Sequence, residues 1–223
     1  MTLVIAHRGA SAYEVENSLA AFRAAQRLGA DGVELDVHTT LDGSAIVHHD
    51  AIAGSHRIAK VRLGELRDHE LPNGEAVPLL ADALSTLGTK SLAFIEIKTL
   101  PPKHDPKLFE VLDVGPATAN YQVHSFDHRI VQRLKQQRPA LPCGLLSTSY
   151  PVNPMAQLDD AGASALWQVE SMIDRELVEA THSVGCTIYA WTVDEPRRMH
   201  QLIELGVDAI CTNRPDVARE VIG

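Results

Sequence analysis

The apolar positions of this chain fall into short runs separated by longer stretches that carry a single apolar stripe. Residues 3–6 form the first run, and similar runs recur at 32–37, 92–97, 121–124, 143–146, 165–168, 187–191 and 208–211. Short runs of this kind, bounded by turn residues, predict strands buried on both faces. Between them, apolar residues at three- and four-residue spacing predict amphipathic helices. The first is capped by Asn17 or Ser18 and runs to Leu28, with Leu19, Phe22, Ala25 and Leu28 on one face. Others follow over 79–87, 106–114, 128–137, 154–161, 173–184, 195–205 and 216–222, and Asp105-Pro106 reads as a cap followed by a first turn. Leu87-Gly88, Ala161-Gly162, Val184-Gly185 and Leu205-Gly206 each place a glycine where a helix must turn back toward a strand. About eight strand–helix units of ~25–30 residues predict a parallel barrel, with an open doubly wound sheet as the alternative. Against the alternative, His7-Arg8-Gly9-Ala10-Ser11 after the first run lacks the glycine spacing of a dinucleotide loop.

One stretch breaks this rhythm. Residues 51–77 are polar, carry His56 and His69, and contain an Asn73-Gly74 turn. They read as a small insertion between the second strand and its helix, within a single domain that spans 1–223.

The polar residues that interrupt the runs are concentrated near strand ends. In a strand starting at Gly32, side chains alternate, so Glu34 and Asp36 share one face. Two carboxylates on one side of an apolar strand are costly to bury without a neutralising partner. Asp42-Gly43 favours a tight turn, and Ala45-Ile46-Val47 then leads to His48, His49 and Asp50. His7 and Arg8 follow the first run, and Glu96 and Lys98 stand two apart at the end of 92–97. In a parallel barrel, chemistry sits at these C-terminal strand ends. Carboxylates, histidines and cations converging there suit acid–base work on an ester beside an oxygen-ligated cation such as Mg²⁺ or Ca²⁺. His38 and His124 also lie near strand ends, within reach of the same pocket, while Trp191 and Phe126 can form an apolar wall beside it or pack into the core.

Composition narrows the partners. A formal net charge of -9 argues against nucleic acid or an anionic membrane, both of which need clustered cationic surface. Cys143, Cys186 and Cys211 are far apart in apolar surroundings and read as small hydrophobes in a reduced compartment. The apolar run near the start ends at His7 after a few residues, too short for a signal peptide or membrane anchor, so a cytoplasmic location is expected.

The motifs that carry these residues resemble the glycerophosphodiester phosphodiesterase family, in particular its small bacterial cytoplasmic type. The resemblance runs through His7-Arg8-Gly9, 16–22 (ENSLAAF), 29–37 (GADGVELDV), Thr40, Asp42-Gly43 and His49-Asp50. It continues in Val77-Pro78-Leu79, Glu96-Ile97-Lys98, Ser125-Phe126, Trp191-Thr192-Val193, 206–210 (GVDAI) and Arg214-Pro215, so that nearly the whole chain is covered in order. It implies a (β/α)₈ TIM barrel with a small insertion, here 51–77. It also implies metal carboxylates at Glu34, Asp36 and Glu96, acid–base histidines at His7 and His49, phosphate-contacting cations at Arg8 and Lys98, and a structural role for His48. Asn17 is expected to combine a capping role with a role at the site. The implied reaction is metal-dependent hydrolysis of small glycerophosphodiesters, such as glycerophosphocholine or glycerophosphoethanolamine, to glycerol 3-phosphate and an alcohol. The competing expectations are a related phosphodiesterase acting on lysophospholipids, and a catalytically silent metal- or phosphate-binding barrel. Val15 stands where the family usually has proline, and Asn213 where it usually has aspartate; neither exchange is expected to touch the catalytic set.

Overall fold

The computed structural model describes residues 1–66 and 69–223. Eight parallel strands close into a barrel: β1 (Leu3–His7), β2 (Gly32–Thr39), then β6 (Leu92–Ile97), β7 (Tyr121–Ser125), β8 (Cys143–Ser147), β9 (Ala165–Val169), β10 (Thr187–Trp191) and β11 (Ala209–Thr212). Closure comes from β1, which pairs with β11 through Ala6↔Thr212 and with β2 through His7↔Glu34. Helices α1 (Leu19–Arg27), α2 (Leu80–Leu87), α3 (Asp105–Val114), α4 (His128–Gln137), α5 (Pro154–Ala161), α6 (Arg175–Ser183), α7 (Pro196–Leu205) and α8 (Pro215–Ile222) surround it. The short β3 (Ala45–Val47) runs antiparallel to β2 and ends beside the mouth.

The barrel forms because each strand has two different buried faces. On β2, Val33, Leu35 and Val37 face outward into the main core with Phe22 of α1 and Leu80 and Leu84 of α2. The alternate positions of the strands point inward. Ile5, Phe94, Leu146, Ala165, Trp167, Tyr189, Ala209 and Cys211 fill the interior as one apolar cluster. Trp167 is its centre, edge-on to Phe94 at 5.3 Å and to Tyr189 at 5.0 Å between ring centroids, a favoured aromatic geometry. Gly144 makes room for it, since a Cβ there would lie 2.8 Å from Trp167 Cδ1. The apolar plug ends one layer below the strand ends, and the next inward positions are the polar ones: His7, Glu34, Asp36, Glu96 and His124.

Between β3 and α2, the chain makes the two-stranded pair β4 (Ile52–Ala53) and β5 (His56–Arg57) and two short 3₁₀ turns. Ile46, Ala53, Ile58 and Leu66 give it a small apolar cluster of its own. Two positions of the 51–77 stretch, Arg67 and Asp68, lie outside the described residues. Glu75 reaches back to the start of α1, where its carboxylate accepts from the Leu19 and Ala20 backbone N–H groups at 2.9 and 3.2 Å. A carboxylate there complements the helix dipole.

Of the two candidate caps of α1, Ser18 is the one that serves, accepting from the Ala21 N–H at 3.0 Å, so the capping role expected of Asn17 falls to its neighbour. Two other helix starts differ from the sequence expectation. Asp105 is already helical and caps nothing; Arg133 and Gln137 hold its carboxylate at 2.7–3.0 Å. The helix expected over 173–184 begins later, where the Asp174 side chain accepts from the Leu177 N–H. Among the described residues, no helix is long and apolar enough to cross a membrane.

Candidate active site

Register stacks the polar layer across neighbouring strands. His7 lies opposite Glu34, Asp36 opposite Glu96, and Glu96 opposite His124. The antiparallel β3 delivers His49 to the same place. A cavity opens there, lined by His7, Arg8, Glu34, His49, Glu96, Lys98 and His124 on one side. Phe126, Leu146, Trp167 and Trp191 line it on the other.

Asp36 is the most heavily engaged carboxylate. Arg8 Nε and Lys98 Nζ each lie 3.1 Å from it, and Asn17 Nδ2 donates to it at 2.8 Å. The Asp36 N–H in turn donates to Asn17 Oδ1 at 3.2 Å. Asn17 is therefore a clamp on Asp36, held in the left-handed region at φ 57, which asparagine tolerates better than most residues. Burial alone would raise the Asp36 carboxyl, but Lys98 and Arg8 overcome it and hold the group down at about 2. Glu96 contacts Lys98 Nζ at 2.6 Å, and Glu34 accepts from the Arg8 backbone N–H at 3.1 Å. Arg8 itself turns outward at φ 55 to meet Glu16. Gly9 follows at φ 81 with its Cα against α1, where a Cβ would come within 2.7 Å of the Ala21 backbone.

This layer is short of positive charge. Burial, then the charges of Asp36 and Glu96, raise Glu34 well above the usual carboxylate range. Burial and Asp36 likewise raise Glu96 to about 7. Asp36 Oδ1 and Glu96 Oε1 are buried and touched by the Lys98 ammonium, but neither has a well-directed hydrogen bond. Three buried carboxylates facing two cationic side chains form a donor set with capacity for a further cation. The donor atoms that lie within 4.8 Å of one another belong to Glu34, Glu96 and His124.

The histidines differ in surroundings. His7 is lowered, first by burial and then by the Arg8 charge, and its Nδ1 lies 2.8 Å from Asn213 Oδ1. His49 is more open, its Nδ1 2.9 Å from Asp50 Oδ1. His48 turns aside to the Asp50 carbonyl oxygen at 2.9 Å. His38 lies beneath, with Nε2 3.1 Å from the His49 carbonyl oxygen and Nδ1 3.1 Å from Thr99 Oγ1, supporting the His49 backbone. His124 is fully buried, stacked on Trp167 with centroids 4.2 Å apart and planes at 10°, and its Nε2 is 4.0 Å from Glu34 Oε1. Burial depresses its basicity to about 3, so it is neutral at physiological pH.

Of the seven residues assigned to the site from the sequence, His7, Arg8, Glu34, His49, Glu96 and Lys98 line this cavity, and Asp36 is buried against Arg8 and Lys98. Phe126 and Trp191 form the facing wall, edge-to-face at 5.5 Å, and Lys98 Nζ lies 5.9 Å from the Phe126 ring centre. His124 belongs to the acidic layer, and its inward position follows from its spacing of two before Phe126 along the same stretch. The expectation that Asn213 leaves the catalytic set untouched is wrong. The closure of β1 against β11 places its side chain directly on His7.

Known proteins resemble this chain over nearly its whole length. The model of the glycerophosphoryl diester phosphodiesterase family matches residues 7–217. A glycerophosphodiester phosphodiesterase from Caldanaerobacter subterraneus subsp. tengcongensis is 35% identical over 231 residues, covering 96% of this chain and 95% of the relative. Among solved structures, a glycerophosphodiester phosphodiesterase from Parabacteroides distasonis superimposes with a TM-score of 0.90 at 26% identity, covering 99% of this chain and 96% of that one. An Oleispira antarctica phosphodiesterase, solved in complex with the product sn-glycerol-3-phosphate, shares the fold at a TM-score of 0.91 and 23% identity, with 100% and 97% of the two chains covered.

Proposed function

The chain belongs to the glycerophosphoryl diester phosphodiesterase family and is an enzyme of that class, and on this premise we propose that it hydrolyses small glycerophosphodiesters, such as glycerophosphocholine, to sn-glycerol 3-phosphate and an alcohol. The observation that carries the reading is a single cavity lined by Glu34, Glu96, Arg8, Lys98, His7 and His49 opposite an aromatic wall, with Asp36 buried against Arg8 and Lys98. The product bound to the Oleispira phosphodiesterase is the product class proposed here.

Glu34, Asp36 and Glu96 would hold a divalent cation, Mg²⁺ or Ca²⁺ by their oxygen chemistry. His124 would add a neutral imidazole beside Glu34 and Glu96, a donor type more usual for transition metals such as Zn²⁺ than for Mg²⁺ or Ca²⁺. When bound, the cation supplies Lewis-acid charge beside the phosphoryl oxygens. The protein's own groups divide the remaining work. Arg8 and Lys98 offset the negative charge on the phosphoryl oxygens, an effect strengthened where water is excluded. One of His7 and His49 takes the proton of the glycerol 2-hydroxyl as its oxygen attacks phosphorus, and the other protonates the departing alcohol oxygen. The resulting five-membered cyclic phosphate is opened by water: one histidine takes the water proton as its oxygen bonds to phosphorus, the P–O bond to the glycerol 2-oxygen breaks, and the other histidine protonates that oxygen, the roles being exchanged. Phe126 and Trp191 cover the alcohol side of the cavity.

The test is release of choline and sn-glycerol 3-phosphate from glycerophosphocholine by the purified protein, before and after EDTA treatment and re-addition of single metals. Loss on chelation and recovery with a divalent cation support the reading. Full activity after exhaustive chelation contradicts its metal part. Faster turnover of lysophosphatidylcholine moves the substrate to lysophospholipids, and no diester turnover with any metal returns a silent binding barrel.

A further inference from the structure

We infer that Asn213 and Asp194 together fix the ring tautomer of His7, so that Nδ1 carries the hydrogen and Nε2 is the nitrogen that exchanges protons in the cavity. The inference rests on the phosphodiesterase reading of the site and assigns positioning residues within it.

An amide side chain presents an oxygen at one corner and an NH₂ at the other, and which corner faces a histidine decides which ring nitrogen is protonated. Here the choice is made one residue further out. Asn213 Nδ2 lies 2.6 Å from Asp194 Oδ2. An ionised carboxylate accepts only, so the Asn213 NH₂ must face Asp194. The carboxylate is itself fixed, because the Asn213 backbone N–H and the Thr212 hydroxyl both donate to Asp194 Oδ1, at 2.8 and 2.9 Å. The amide oxygen is thereby turned toward β1, where His7 Nδ1 lies 2.8 Å and Ser11 Oγ 2.7 Å from it. Ser11 Oγ also lies 2.8 Å from the His7 carbonyl oxygen, tying the same loop to the end of β1. An oxygen with no hydrogen to give makes His7 Nδ1 the donor. In the neutral ring the lone pair is then on Nε2. In the protonated ring Nδ1–H still donates to the same oxygen, so the ring keeps one orientation on both sides of a proton transfer.

A purely structural role, stapling the last strand to the first, is the competing account, since these contacts straddle the barrel closure. It makes no demand on which end of the amide faces His7. Replacing Asp194 by asparagine separates the two. With an NH₂ offered in place of a carboxylate oxygen, the Asn213 amide can turn over and present its own NH₂ to His7 Nδ1, forcing the hydrogen onto Nε2.

The experiment reads the tautomer directly by two-bond ¹H–¹⁵N correlation of imidazole nitrogens. It uses metal-free, ¹⁵N-histidine-labelled protein at about pH 8, where an ordinary imidazole is neutral. The His7 signals are assigned by their loss in His7→Gln. The wild type is expected to show the Nδ1–H tautomer, and Asp194→Asn a shift toward Nε2–H. In the metal-loaded enzyme, kcat of Asp194→Asn is expected to fall roughly 10²–10⁴-fold with KM changed little, as expected when a catalytic histidine is held in the wrong tautomer. Asn213→Asp, which keeps an acceptor toward His7, should retain the tautomer. An Nε2–H tautomer in the wild type overturns the inference and needs no variant that might misfold. An unchanged tautomer in folded Asp194→Asn overturns it too. If the tautomer shifts as expected but no diester is hydrolysed by the wild type, the phosphodiesterase reading fails while the positioning of His7 stands.

Discussion

The mouth of the barrel is chemically lopsided. The arc formed by β1, β2, β3 and β6 supplies His7, Arg8, Glu34, Asp36, His49, Glu96 and Lys98, whereas the arc from β7 to β10 supplies Phe126, Leu146, Trp167 and Trp191, with His124 as its one titratable contribution to the cavity lining. The first arc holds the charged groups that the proposed reading sets around a phosphodiester. The second is apolar, the side on which the proposed reading places the alcohol, and through Trp167 it braces the imidazole of His124 beside the acidic layer. A charged group is worth more against an apolar wall than in water, so each arc depends on the other. The contrast implies that substitutions on the charged arc act on kcat, and those on the apolar arc on KM or stability.

The largest effects are therefore expected among the acidic residues. Glu34→Gln or Asp36→Asn should lower kcat by roughly 10³-fold or more and weaken divalent-metal binding measured by calorimetry. Retention of both activity and metal affinity would break the assignment of charge to this arc. Lys98→Met should cost roughly 10²–10³-fold in kcat, the scale of a lost electrostatic contact to a transition state. A change confined to KM would make Lys98 a ground-state binder instead. On the apolar arc, Trp191→Leu removes the edge-to-face partner of Phe126. Losing such a pair costs about 0.5–1.5 kcal/mol beyond the area lost. Steady-state kinetics should place the change mainly in KM for glycerophosphocholine, and a loss confined to kcat would erase the distinction between the arcs.

The smallest expected effect concerns stability. Burial depresses His124 from 6.5 to about 3. A histidine with a depressed folded-state pKa stabilises the native protein above its unfolded pKa, and that contribution is lost as pH falls through 6.5 toward 3. Linkage gives about 2 kcal/mol lost from this group between pH 8 and pH 5. In metal-free protein, urea denaturation of His124→Gln should show a correspondingly flatter decline over that window. An unchanged pH slope would mean that His124 takes up its proton in the folded protein as readily as in the unfolded chain, contradicting the depression.

How much of this was legible in the sequence follows from the range of the interactions. Alternation along a strand is local, so Glu34 with Asp36 and Glu96 with Lys98 could be placed on one face from spacing alone, and the recurring strand–helix unit carried the barrel. Helix starts were less legible because an Asp near a proline can serve two masters. Asp105 is claimed by Arg133 and Gln137 from α4, a tertiary demand that local capping preference does not see. Asn17 and Ser18 looked interchangeable as caps until the left-handed turn at Asn17 gave its amide to Asp36. The contact between His7 and Asn213 was invisible for the strongest reason. The partners are 206 positions apart and meet because the first and last strands close the barrel. The contribution of His124 likewise depends on the Trp167 ring against which it stacks, two strands away.

The measurement that tests the account most directly is the single-turnover rate of glycerophosphocholine cleavage by the metal-loaded protein, compared among the wild type, His7→Ala and His49→Ala. The account predicts conversion to sn-glycerol 3-phosphate and choline by the wild type and a fall of roughly 10²–10⁴-fold in each variant, the range for loss of a general acid or base. Near-wild-type rates in either variant would contradict it.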